Sequence, residues 1–323
     1  MQTWLYVASF GEEIERAYWT QKTPYPIAAG TKELLFAVEK YRAVERSTAA
    51  LSAVSRRLGE IPTNDVVSLL ADGVAERNAS PGAQMASSFF DIEKVISDLS
   101  ERSDVTLQQL AGLEFIYLPE LRNDPRALHR LLLEQPSFFM EMVCKVFRAK
   151  DEEPREVSEH DRKYATNAYR LLKSLNTLPG QTDQEVDEPA LLGWCLDVRR
   201  LAKEQNRQAI ADQLIGQVLA HAPLSPKDEA WPHEAVRSVI ESLASAEIER
   251  GISIERINMR GVFSKQIGEG GDQERALARQ SREWADVSSE FVRTSAMLQR
   301  IAQSWVADAE RADTAAQQQM LRF

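Results

Sequence analysis

The sequence predicts an all-α protein: an irregular stack of antiparallel helical hairpins, similar in build to a HEAT- or tetratricopeptide-type solenoid, with a single compact helical domain as the alternative. Three observations predict it. Apolar residues recur at three- and four-residue steps almost from end to end, the spacing that lines one face of a helix. Strict alternation over a strand's length is scarce. Prolines and glycines interrupt the pattern at short intervals, so neighbouring helices joined by a few residues fold back on each other. No period repeats residue for residue, which makes the stack irregular rather than a consensus array.

Each element follows from local residues. Trp4, Val7, Ile14 and Tyr18 share the first stripe, and Pro24 and Pro26 end it by removing helix donors and restricting their predecessors. Leu34, Leu35, Val38 and Tyr41 carry the second helix. Leu51, Val54 and Leu58 carry the third, which exits through Gly59 and Pro62. Thr63 or Asn64 caps the next start. Met85, Phe89, Ile92, Ile96 and Leu99 then share a face, followed by Leu107, Leu110, Leu113 and Tyr117 before Pro119. Asp124 is placed to cap a helix opening at Pro125, and Pro136 opens another carrying Phe139, Met142, Val143 and Val146.

The stretch RAKDEEPREVSEHDRK is charged in both signs and nearly free of apolar side chains. A polar linker is therefore drawn at 149–162, between N-terminal hairpins at 1–148 and C-terminal hairpins at 163–323. Beyond it, one helix ends at Pro179 and Gly180, one opens at Asp187 and Pro189, one ends at Pro223, and one runs from Trp231 and Pro232 to Gly251.

A formal net charge of -10 repels nucleic acid and anionic lipid, so both are disfavoured as partners. Cys144 and Cys195 lie inside apolar helical patterns, where a free thiol acts as a small buried hydrophobe. The N-terminal stretch has early acids at Glu12, Glu13 and Glu15 and no basic leader, and no later segment is apolar enough to span a bilayer. The expected location is the cytoplasm, away from membranes.

The glycine cluster in GVFSKQIGEGGDQERALARQ, within the loop 261–272, admits two readings. Gly268, Gly270 and Gly271 resemble an anion nest ahead of a helix N-terminus. Against that, the segment lacks the lysine and hydroxyl of a P-loop, no strand precedes it, and Glu269 and Asp272 put carboxylates where a phosphate would sit. The structural reading is a turn in which Asp272 caps the following helix. The preceding tract, ERGISIERINMRGVFSKQ, is the least helix-like of the C-terminal half and is expected as a long ordered loop or short hairpin. Arg256, Asn258, Arg260, Gly268, Gly270, Gly271 and Arg275 form the candidate binding set, because irregular loops on a rigid stack commonly carry contacts.

Chemistry-bearing patterns are otherwise thin. His129, His160, His221 and His233 never fall at the i, i+4 spacing of helical metal ligands, no nucleophile elbow is present, and the paired carboxylates sit in polar surroundings. No cofactor, metal or catalytic residue is assigned.

The stretches LEFIYLPEL, DPRALHRLLLEQPSFFMEMVCKVFR, WPHEAVRSVIE and NMRGVFSKQIGEGGDQERALA, in that order, resemble the C-terminal helical region of large, mostly uncharacterised bacterial multidomain proteins, over about Trp4 to Trp305. The resemblance implies a bacterial cytoplasmic setting and a place in a larger system, of which some are suspected in antiviral defence. The leading expectation is a non-catalytic module or scaffold that binds a protein partner. The alternative is a sensor or regulatory arm of a defence system acting through a separate ATPase or nuclease, and an enzyme holding a phosphorylated ligand ranks below both.

Overall fold

The structure, a computed structural model, describes residues 6–22, 30–79, 88–149, 152–153, 156–266 and 268–320. The expectations for Trp4, Pro24, Pro26 and Met85 fall outside the described residues, as do those for the side chains of Phe89 and Phe90. The chain is all-α, as its apolar spacing predicts. In order, the helices are α1 (Glu12–Gln21), α2 (Thr31–Ala43), α3 (Ser47–Val54), α4 (Thr63–Ala79), α5 (Ser88–Ser100), α6 (Leu107–Tyr117), α7 (Arg126–Glu134) and α8 (Pro136–Val146). There follow α9 (Glu159–Ser174), α10 (Glu188–Glu204), α11 (Gln208–Leu219), α12 (Glu234–Leu243), α13 (Ala246–Asn258), α14 (Asp272–Val287) and α15 (Val292–Met320). Among the described residues the only strands are β1 (Gln181–Thr182) and β2 (Glu185–Val186), a small antiparallel pair. The chain forms two compact units, Met1–Leu131 and Leu132–Phe323.

The first unit closes around Trp19, Leu34, Tyr41, Leu51, Leu69, Leu70, Val95 and Leu99, all buried. The α1 stripe is rotated from the expected one. Trp19, with the largest apolar area to hide, takes the core position edge-on to Tyr41 at 4.9 Å, while Ile14 is 55% exposed. Arg46 holds the end of α1 by donating to the carbonyls of Trp19, Thr20 and Lys22 at 2.8–2.9 Å. The Tyr117 hydroxyl donates to the Leu70 carbonyl at 2.6 Å. A remote group also holds the first turn of α7. Glu114, buried on α6, accepts the amides of Ala127 and Leu128 at 3.2 and 2.8 Å, so the first turn of α7 is satisfied from a neighbouring helix.

In the second unit, α8 packs on α9, and the polar stretch 149–162 joins these two neighbours. α10 lies on α8 through Trp194, whose indole sits edge-on to Phe139 at 5.0 Å and donates to the Leu132 carbonyl at 3.1 Å. α11 packs along α13, while α12 contacts α10 and α15. Gly251 departs from its expected part as a helix stop. It lies inside α13, where an added Cβ would stand 2.1 Å from the Gln213 carbonyl, and one on Gly216 would stand 2.2 Å from the Ile248 carbonyl. Two facing glycines thus bring the backbones of α11 and α13 into contact. The actual break comes earlier, where Ala244 adopts left-handed angles (φ 47°) and the Ser245 hydroxyl accepts from the Ile248 amide. His233, expected to help a first helical turn, does so: its Nδ1 accepts from the Ala235 amide at 3.2 Å.

Candidate functional site

The site lies on α14, the last turn of α13 and the segment between them. Arg256 and Asn258, expected on a loop, belong to the last turn of α13. The Ser245 cap and the close seat of Gly251 carry the helix seven residues past the expected stop at Gly251. Asn258 is exposed. Arg256 points toward α14, its guanidinium 4.5 Å from the ring centre of Trp231 and 5.4 Å from that of Trp284. The two indoles are tilted against each other at 5.9 Å. This cage is partly buried, and burial alone lowers the Arg256 pKa.

Four residues further on, Arg260 is used differently. It donates to Glu274 at 2.6 Å and to Gln273 at 3.2 Å and stacks on Phe263 at 3.4 Å. Lys265 reaches the other oxygen of Glu274 at 2.7 Å and also the Gly270 carbonyl at 2.8 Å. Burial pushes the Glu274 carboxyl up, but the bonds from Lys265, Arg260 and its own backbone outweigh it and leave the group below its ordinary range. One buried carboxylate therefore ties the start of α14 to the end of α13 and to the glycine turn.

The glycine turn is filled from within. Gly268 and Gly270 take positive φ angles of 81° and 67°. The Gly271 amide donates to Asp313 of α15 at 2.8 Å, and the Gln266 amide to Glu269 at 2.7 Å. Amides that would greet a phosphate hold the protein's own carboxylates. Gly271 is buried, and a Cβ there would lie 2.4 Å from the Ala309 carbonyl, so its bareness lets α14 start against α15. Asp272 is not the cap it was expected to be. Gly271 occupies that position without a side-chain bond, and Asp272 pairs instead with Arg275, which also binds Asp313.

Beside these anchors lies an open depression of about 510 Å³, lined by Arg260, Phe263, Gln273, Ala276, Leu277 and Gln280. Its margin is apolar and wet: Val262 is fully exposed, Phe263 half-exposed and Met259 exposed. A second depression, in the first unit, is lined by Thr63, Asp98, Arg102 and Asp104 among others. There Arg102 is spent on Asp98 and on the carbonyls of Leu58 and Ile61, and Thr63 on Asp104, so its polar groups hold α4 to α5.

Of the expected set, only Arg260 lines the depression; Glu274 and Lys265 tie it to the glycine turn, while Arg256, Asn258 and Arg275 lie outside the lining. Trp231, Phe263, Glu274, Leu277 and Trp284 were missing from the sequence-derived set. Only Val262 and Phe263 carried a signal, as an adjacent apolar pair between Gly261 and a polar run. Trp231 and Trp284 are 53 positions apart in the chain and meet only through folding. Among the described residues no group of three or more His, Cys, Asp or Glu side chains is arranged to hold a metal, and no helix is long and apolar enough to cross a membrane. No family model, curated protein or solved structure matches the chain.

Proposed function

We propose that this chain is a non-catalytic protein–protein interaction module whose docking surface is the depression between α14 and the segment 260–263 that follows α13. The observation that carries the reading is the exposed apolar rim. Val262, Phe263 and Met259 stand in solvent beside a groove floored by Ala276 and Leu277, while the charged groups underneath are already paired. Covering one valine and one phenylalanine is worth about 1.5–3 kcal/mol each, enough to anchor a partner of modest affinity. The floor is rigid because α14 packs along α15 and its first turn is pinned by Glu274. A partner segment therefore finds a preformed surface.

The test uses the full chain and Val262→Asp, a change at a fully exposed side chain that leaves folding intact. Partners captured from the native host are identified, purified and titrated against both proteins. Direct binding by the parent with a Kd of about micromolar order, weakened roughly tenfold or more by Val262→Asp, supports the reading. Equal binding by the two proteins removes this groove from the function.

A further inference from the structure

Arg256 lies near this depression, beside Trp231 and Trp284, and its chemistry is unfinished. A guanidinium carries five N–H donors. Arg256 gives none of them to a protein acceptor and enters no ion pair among the described residues; its contacts are the faces of Trp231 and Trp284. Arg237 shows what a closed site looks like in this unit. It donates to both oxygens of Asp228 at 2.6 and 2.9 Å and to the carbonyls of Pro232 and Ala230. Solvent screening does not explain the difference, because Arg256 is itself largely desolvated by the indoles.

The charges around the cage leave a surplus of positive charge. Glu255, the neighbouring carboxylate, accepts from Lys173 at 2.9 Å and lies 4.0 Å from His221, so it is engaged on the far side. Arg256 therefore has N–H donors without an acceptor among the described residues, with both indoles packed to one side of it. A planar carboxylate meets such a fork with two parallel bonds, and a desolvated setting strengthens them.

Position supplies the second half of the argument. Arg256 precedes Arg260 by four residues and Trp284 follows Gln280 by four, and Arg260 and Gln280 both line the groove. Trp284 thus stands one turn of α14, roughly 6 Å, beyond the lining residue Gln280, and Arg256 is in contact with it. We propose that the Arg256–Trp231–Trp284 cage receives a carboxylate side chain of the partner segment whose apolar residue fills the groove at Phe263 and Leu277. This rests on the docking reading above and specifies its partner: a segment carrying an apolar side chain and an acid roughly 6–10 Å apart.

The experiment follows indole N–H signals of the isotopically labelled full chain by NMR, assigned with single Trp→Phe variants. The probes are acetyl-Leu-Ala-Ala-Glu-amide, its Gln counterpart, and inorganic phosphate. The Glu peptide is expected to shift the Trp231 and Trp284 signals saturably, with the Gln peptide about tenfold weaker. Arg256→Gln should erase that discrimination while the other indole signals stay in place. Equal response to the two peptides, or no movement of Trp284 up to about 10 mM Glu peptide, overturns the proposal. A Trp284 shift with phosphate but not with the Glu peptide also overturns it, in favour of a tetrahedral anion. Phe263→Ala separates the two readings. Peptides that bind alike and weaken with this change preserve the groove and remove the cage, whereas acid discrimination untouched by it preserves the cage and removes the groove.

Discussion

Arg256 and Arg260 stand four residues apart and both reach toward α14, yet one is closed and the other open. Arg260 shares the buried Glu274 with Lys265, and the three together fix the glycine turn. Arg256 lies beside two indoles with no carboxylate partner among the described residues. Two cations with the same local sequence character therefore differ in their contacts, one bound to a carboxylate of the fold and the other packed on aromatic rings. The difference comes from what α14 presents opposite each, an acid in its first turn and a tryptophan three turns later. Burial of a charge is tolerated where a partner travels with the fold, as Glu274 does for Arg260 and Lys265.

The comparison can be broken hardest through its common support. Gly251→Ala pushes a methyl group into the Gln213 backbone, so α13 must move off α11. A loss of about 3 kcal/mol or more in urea-unfolding free energy is expected, with both arginine sites disturbed together. An unchanged midpoint would mean that α13 is not held at this crossing. Glu274→Gln comes next. It leaves Arg260 and Lys265 without their buried anion and should cost about 2–4 kcal/mol. A comparable loss from Arg256→Gln would erase the distinction between the two cations.

Acid titration gives a smaller effect at a third arginine. The bonds from Arg237, above all, hold Asp228 down at about 2 from an ordinary 3.8. Because the folded pKa is the lower one, the stabilisation is complete above the ordinary value and drains away as pH falls from about 3.8 toward about 2. Its size is about 2 kcal/mol, and Asp228→Asn should flatten that limb of the stability–pH curve. The smallest effect belongs to Arg256→Gln, which exchanges a lost cation–π contact for a relieved desolvation and should shift stability by less than about 1 kcal/mol. Matched urea titrations of all four variants place them on one scale.

Much of the helical framework was legible because apolar spacing, prolines and caps act over a few residues. Pro136 opens α8, Asp187 accepts from the Ala190 amide at the start of α10, and Pro119 follows the end of α6 as expected. Errors fell where a distant group replaced the local signal. Gly251, expected as a terminator, lies inside α13 because it seats against the backbone near Gly216, 35 residues away. The candidate site was half legible for the same reason. Its arginines and glycines stood out as an irregular tract, but their division into anchors and a free cation did not.

What the sequence determined by itself was the class of the fold and the position of most turns, since helix periodicity and backbone restriction are properties of neighbours along the chain. Tertiary structure alone decided which carboxylate each cation meets, that the glycine turn's amides would be filled by Asp313 and Glu269, and that Trp231 and Trp284 would pack against Arg256. Charge pairing and burial act through space at a few ångströms, and the residues involved are separated in the chain by up to several dozen positions, where no local pattern records the encounter.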